Sequence, residues 1–403
     1  MNKNNLIAGF FRYHREKLNY SQRGLINDSS PVKESSLCDF ENGKRTLNEE
    51  QLVYLFQQIG YDYYDVINRY SFSNEFSKIM NFIYLADFDD AIDLFKECKE
   101  KGVFDSLGAL KFAVLDYLFK ILYRENLLVD QDIILSCANL MSTELYNVLR
   151  IAQGILLKYK GNNKESIICF KEVLNSSYDE NVRAWSFSQI GTAYDSDGDY
   201  YNAQKYTEEA LSIYSRTMNF KKMIQLNLTL GTICMHIDAC EHAEDSYKKA
   251  YESSLELKDF YKVTTRCFEN ICWLYFITNQ YNKFEQFTTE EIGNLVLNEN
   301  TYFVLAWAYY KTGRVEECVK YCKEAREKYK DREYPQIVFT YIERAVLGKK
   351  SGQDTLLKKA ITMEDYEHNK EIDELFTLEL IDIYERRKNY EKAYKYTRKL
   401  LNR

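Results

Sequence analysis

Proline is almost absent from this chain: its 403 residues include only Pro31 and Pro335, and glycine contributes just 15. Proline breaks helix interiors by removing a backbone donor and clashing with the preceding turn, so its scarcity leaves nearly the whole length open to helix. No apolar run is long enough to span a bilayer, and the opening MNKNNLIAGFFRYHREK has neither an extended apolar core nor a small-residue cleavage site. A cytoplasmic protein that makes no use of a membrane is therefore expected. The 10 cysteines are scattered through helical patterns and read as reduced, mostly buried residues. Catalytic signatures are missing too. There is no phosphate-cradling glycine loop, no Gly-x-Ser-x-Gly elbow and no His-Glu-x-x-His, and the four histidines have no evident nucleophile beside them. These absences predict a protein that is not an enzyme and needs no cofactor.

Excess positive charge is also missing, since the net charge is −7. Its distribution is uneven, however. Residues 1–48 carry eight Lys/Arg against five Asp/Glu, a net of +3, which leaves −10 for the remainder. A basic head on an acidic body suits local contact with phosphate and self-avoidance elsewhere.

What the chain has in quantity is aromatic side chains, 35 Tyr and 23 Phe, which read as packing between helices. Leu6, Ile7, Phe10, Phe11 and Leu18 form the stripe of a first helix. Asn19-Tyr20 interrupts it, and Ser21 is a suitable cap for a short second helix holding Leu25 and Ile26. Asn27 to Pro31 form a turn. A third helix is predicted from Val32 to Phe40, ended by Asn42-Gly43. A fourth covers 48–59, and another short one precedes Tyr70. From about residue 72 onward the pattern is one of helix pairs. Gly191, Ala203 and Ala210 recur as Gly231, Ala243 and Ala250, each offset by 40. Small residues at these positions let two helices cross closely.

Cys234-x-His236-x3-Cys240-x-His242 has the residue types of a zinc site. Cys234 falls, however, in the slot that Tyr194 fills one unit earlier, so a packing role is expected and no metal. Cys318 and Cys322 share a helix face and are read as packing residues as well.

The spacing Ile190-Gly191-x-x-Tyr194 with Gly198, Tyr200, Ala203 and Ala210 resembles the tetratricopeptide repeat. Further units follow at Leu230-Gly231 with Ala243, Tyr247 and Ala250, and at Leu305-Ala306-x-x-Tyr309 with Gly313 and Ala325. Partial units bring the total to about seven between residues 75 and 403. Residues 7–59 resemble the Cro/phage-repressor helix-turn-helix, with Arg15-Glu16-Lys17 closing helix 1, Ser21-Gln22 opening helix 2 and Phe40-Glu41-Asn42-Gly43-Lys44-Arg45 closing helix 3. The fold class expected is all-α: a helix-turn-helix DNA-binding domain over 1–70, then a tetratricopeptide-like right-handed superhelical array over 71–403.

In a helix-turn-helix the recognition helix offers its N-terminal side chains to base edges in the major groove. Here these are Lys33, Ser35 and Ser36, with Glu34 and Asp39 beside them. Ser21 and Gln22 are placed to meet a phosphate or base from helix 2. Arg23, Lys44 and Arg45 are placed for backbone phosphates, which position without reading sequence. Glu41 is expected to pair with Arg15 inside the domain.

This architecture resembles the RRNPP family of peptide-sensing regulators. The resemblance implies a double-stranded DNA operator, a homodimer, and a short signalling peptide of five to ten residues in the concave channel of the array, as in quorum sensing or phage communication. Asparagine suits an extended peptide because one side chain both donates and accepts. Asn227 and Asn270 are the leading candidates, with Trp185, Gln189, Gln225, Arg266, Trp307 and Tyr310 beside them. The C-terminal apolar residues Leu375, Phe376, Leu378, Leu380, Ile381 and Tyr384 are expected to supply the dimer contact. Two other readings stay open: an array that docks a folded protein partner, and a dimeric repressor that needs no ligand.

Overall fold

A computed structural model describes residues 3–69, 72–124, 131–257, 260–363 and 370–401. Among these the chain is helical, with short 3-10 turns and no strand. It divides into two compact units, residues 1–239 and 240–403.

The first unit opens with α1 (Lys3–Lys17), α2 (Glu34–Glu41), α3 (Glu49–Gln58) and α4 (Tyr63–Asn68). Phe10, Phe11, Leu37, Phe40, Leu55 and Phe56 are fully buried at their centre. Local chemistry sets several boundaries. Asn48 and Gln51 form a reciprocal capping box that starts α3. Gly43 ends α2 at φ +70°, and a side chain there would also press on Leu140.

The expected second helix is absent. Residues 23–25 make only a 3-10 turn, with the Gly24 amide donating to Ser21 Oγ at 3.0 Å. Leu25 is the one buried side chain there, and Asn27 Oδ1 accepts from the Ser29 amide, drawing the chain into a turn. A segment with one buried residue and a glycine cannot offset the cost of helix nucleation. The third predicted helix likewise begins at Glu34, because Lys33 is extended.

The four-helix head rests on the helices that follow: α5 (Ser73–Leu85), α6 (Phe88–Glu100), α7 (Ala109–Leu122) and α8 (Gln131–Ser136). Ala109 and Leu140 complete its core. Ser136 donates to Glu16 at 2.6 Å, and the Lys17 ammonium sits 4.1 Å from the centre of the Phe104 ring. His14 is buried between Phe104 O (3.0 Å) and the Tyr61 hydroxyl (3.1 Å). Burial lowers its pKa to about 4, so it is neutral and acts as a packing and hydrogen-bonding group.

Longer helices complete the unit: α9 (Thr143–Tyr159), α10 (Asn163–Ser176), α11 (Glu180–Ser196), α12 (Tyr200–Arg216) and α13 (Phe220–His236). The small residues sit where helices meet. A β-carbon added to Gly154 would lie 2.7 Å from the Phe170 ring, and one added to Gly191 would lie 2.5 Å from Thr207 Oγ1 and 3.2 Å from the Ala203 carbonyl oxygen.

The second unit holds α14 (Cys240–Leu255), α15 (Tyr261–Ile277), α16 (Tyr281–Glu291), α17 (Glu299–Thr312), α18 (Val315–Lys328), α19 (Glu333–Val346), α20 (Gln353–Thr362), α21 (Lys370–Arg386) and α22 (Tyr390–Leu401). Phe376 of α21 packs against Phe303 and Trp307 of α17 and against Tyr341 of α19. Phe376, Leu380 and Tyr384 are thereby buried inside their own unit, contrary to the expectation that they face a second copy. Of that expected set, Leu378 alone is exposed, at 53%.

Candidate functional site

The head presents one polar surface. Lys33, Glu34, Ser35, Cys38 and Asp39 are exposed along α2, and Ser21, Arg23, Lys44 and Arg45 are exposed around it. Two expected members are not available. Ser36 is 7% exposed because it lies on the face of α2 turned toward the core. Gln22 is half-buried and donates to Glu41 Oε2 at 2.5 Å.

Glu41 itself is fully buried. Arg15 reaches it with Nε and Nη2 at 2.5 and 2.8 Å, a two-pronged pairing of the kind that fixes orientation as well as distance. Arg15 also donates to the Tyr20 carbonyl at 2.6 Å. This network sets the angle between α1 and α2, and so positions the exposed face of α2.

The eight residues expected to meet a peptide divide between the units. In the first, Trp185 is 5% exposed, with its ring 6.0 Å from that of Tyr84. Tyr84, near the end of α5, is tied in turn to the start of α13: the Asn219 side-chain amide donates to the Tyr84 carbonyl at 2.9 Å, and Lys221 pairs with Asp87. Gln189 accepts from Lys158 Nζ at 2.6 Å. Gln225 and Asn227, on α13, are partly exposed, and the Asn227 side chain has no hydrogen-bond partner among the described residues. Trp185 and Gln189 are thus committed to contacts within the chain, whereas the Gln225 and Asn227 side chains stay partly open to solvent.

In the second unit Trp307 is 1% exposed beneath Phe376. The Tyr310 hydroxyl donates to Glu379 at 2.9 Å, where Tyr341 and Lys311 also converge. Helix α21 therefore occupies the place where these two residues were expected to meet a peptide. Arg266 is exposed and lies one turn before Asn270 on α15. Asn270 lines an open pocket of about 130 Å³ together with Glu269, Trp273, Asn300, Phe303, Val304, Ile372 and Leu375. These come from α15, α17 and α21. The pocket volume accommodates a side chain or several waters.

Glu269 is the unforeseen member. It is 8% exposed, and its Oε1 accepts from Thr301 Oγ1 at 2.6 Å. Burial raises its pKa from the ordinary carboxylate value, against the opposing pull of hydrogen bonds from Thr301 and Asn298. A carboxylate next to Asn270 in a helical pattern gives little sign of this role, because its burial is set by α17.

Among the described residues no group of three or more His, Cys, Asp or Glu is arranged to hold a metal. Cys234 is buried, and His236 Nδ1 meets Asp195 at 3.0 Å. Among the same residues no helix is long and apolar enough to cross a membrane.

Residues 186–217 and 299–326 match the tetratricopeptide repeat family. No curated protein matches the chain in sequence at a significant level. Solved structures are similar in fold. The apo form of RapI aligns with TM-score 0.63 at 16% identity, covering 81% of this chain and 95% of that one. A Rap protein complexed with competence and sporulation factor aligns with TM-score 0.57 at 16% identity, covering 82% and 96%. The apo quorum sensor NprR from B. thuringiensis gives 0.57 at 13%, covering 82% and 97%. The likeness holds at the level of the fold: the chain is all-helical among its described residues, two of its stretches match tetratricopeptide repeats, and it folds like RapI, that Rap protein and NprR.

Proposed function

We propose that this chain is a DNA-binding regulator governed by a short peptide held on the inner helices of its repeats, acting by binding rather than by catalysis, in the cytoplasm and as a homodimer. The observation that carries the reading is the open pocket on α15 and α17 with Asn270 in its wall. It joins apolar and aromatic surface to amide groups that can serve a peptide backbone, the combination typical of ligand sites. The exposed face of α2, ringed by Arg23, Lys44 and Arg45, supports DNA as the output. The likeness to the apo quorum sensor NprR and to a Rap protein complexed with competence and sporulation factor is consistent with sensing.

The test is selection of bound duplexes from a random DNA library by the full chain, repeated with a pool of synthetic hexapeptides. A defined DNA site whose occupancy changes with peptide is the expected result. Failure to enrich any duplex at low salt would remove the DNA output. DNA binding that no peptide alters would remove the sensing role.

A second reading has one specific observation behind it. The segment expected to form helix 2 is a single 3-10 turn, so the head departs from an ordinary helix-turn-helix. In that reading the array docks a folded protein, and the selection would return no DNA site.

A further inference from the structure

Enclosed carboxylates of the second unit differ in their partners. The buried Glu379 holds Lys311, and the half-buried Glu343 and Glu299 hold Arg326 and Arg332. Glu269 is about as buried as Glu379, yet among the described residues it has no ion-pair partner; its contacts are the neutral donors Thr301 and Asn298. Removing a carboxylate from water costs several kcal/mol unless a cation or a full set of hydrogen bonds replaces the lost hydration. The other three obtain that cation from within the chain.

Glu269 is also the buried carboxylate that lines the open pocket. Trp273, one turn further along α15, is half-buried and shares that wall, with Phe303 from α17 also lining the pocket. An aromatic face beside a carboxylate attracts a cation twice, through charge and through the ring quadrupole. Asn270 and Asn300 add hydrogen-bond acceptors at the same pocket. Arg266 acts on Glu269 only through its field and lies outside the lining.

We infer that the α15–α17–α21 pocket is a receptor for a positively charged group on an apolar stem, with Glu269 as its counter-ion and Trp273 as its aromatic wall. Such a group is either a basic side chain of a bound peptide or that peptide's free amino terminus. The assignment rests on the array being a peptide receptor, and it names the chemistry that the receptor selects. A planar guanidinium fits best, because it can pair with the carboxylate and stack on the indole together.

The first measurement does not depend on any peptide. The full chain, labelled at its three tryptophan indole nitrogens, is titrated with the N-acetylated amide of arginine (arginine amide below) and with the N-acetylated amide of citrulline (citrulline amide below), which has nearly the same shape but no charge. Trp273→Phe assigns the signal. Arginine amide should shift the Trp273 resonance at least about tenfold more tightly than citrulline amide, as expected for a desolvated charge pair. Glu269→Gln should erase that preference. Because Gln keeps an acceptor for Thr301, the fold should survive. Asn300→Lys, at an exposed position, provides a second check by placing a fixed ammonium at the mouth, and should weaken arginine amide by a similar factor. Equal binding of the two amides, or an unchanged preference in both variants, would overturn the assignment.

The second measurement selects hexapeptides from a random pool. Enrichment of Arg or Lys in wild type, lost in Glu269→Gln, supports a basic side chain. Loss of binding on N-acetylation, without a composition bias, supports the amino terminus. Enriched peptides indifferent to both changes would sink the cation pocket and leave peptide sensing standing. Arginine amide binding with no enriched peptide would leave the pocket standing and sink peptide sensing.

Discussion

Replacing Arg15 and Glu41 separately and together should show how the head holds its DNA-facing helix. Glu41 is 0% exposed and Arg15 is 7% exposed. Arg15→Met would strand the Glu41 carboxylate with only Gln22 as a donor. Leaving a buried charge unpaired costs about 3–5 kcal/mol, and this site has little route to water, so the upper part of that range is expected. Glu41→Leu strands the guanidinium less severely, because Arg15 still reaches Glu16 at 3.1 Å and the Tyr20 carbonyl at 2.6 Å. A cost of about 2–3 kcal/mol is expected there. The double variant Arg15→Met/Glu41→Leu replaces the pair by apolar groups of similar volume. Gln22 is half-buried and Tyr20 is exposed, so water can satisfy the partners they lose. The double change should therefore cost less than Arg15→Met alone, an interaction of about 2 kcal/mol or more in the cycle. Urea unfolding followed by circular dichroism, with hydrogen exchange over residues 10–45, measures each corner. Additive losses, or a Glu41→Leu variant weaker than Arg15→Met, would refute the account of which charge is the more enclosed.

Other expectations follow from the same structure. Ser36→Ala should leave DNA affinity unchanged while Lys33→Ala and Ser35→Ala reduce it, and Lys44→Ala/Arg45→Ala should lower the slope of affinity against salt by about two phosphate contacts; binding assays at several salt concentrations would show it. Gly191→Ala should destabilise the first unit by about 1–3 kcal/mol despite alanine's better helix propensity, because its methyl meets Thr207 Oγ1 and the Ala203 carbonyl; thermal melts of the variant would check this. Burial lowers the Lys222 pKa from 10.5 to about 8, so between those values the unfolded chain binds more protons and stability rises with pH. Lys222→Met should accordingly gain roughly 3 kcal/mol at pH 7 but only about 1 kcal/mol at pH 10, and a gain that does not shrink with pH would contradict the burial. For the proposed homodimer, the exposed face of α22 with Tyr390, Tyr394 and Leu401 is a better surface than α21, and charging Tyr390 and Tyr394 to Lys should give monomers by light scattering.

Much of this protein was determined by patterns that act over a few residues. The scarcity of proline, the capping pair Asn48 and Gln51, the stop at Gly43 and the small residues at Gly154, Gly191 and Ala203 all follow from backbone sterics and short-range hydrogen bonding, and the sequence displays them directly. The pairing of Arg15 with Glu41 was legible for a related reason, since a carboxylate on an apolar helix face needs a cation near it. Tertiary structure alone decided the rest. Residues 21–26 have the local signs of a helix, but with Leu25 the one buried residue they have too little core to pack against. Trp307 and Tyr310 have the composition of a binding surface until α21 brings Phe376 and Glu379 over them from about 69 residues away. Trp185 packs against Tyr84 of α5, whose carbonyl accepts from Asn219 across 135 positions. Glu269 is buried, with no ion-pair partner among the described residues, because Thr301 brings α17 against it. Periodicity assigns a residue to a face of its own helix; which element then covers that face depends on contacts made by distant parts of the chain.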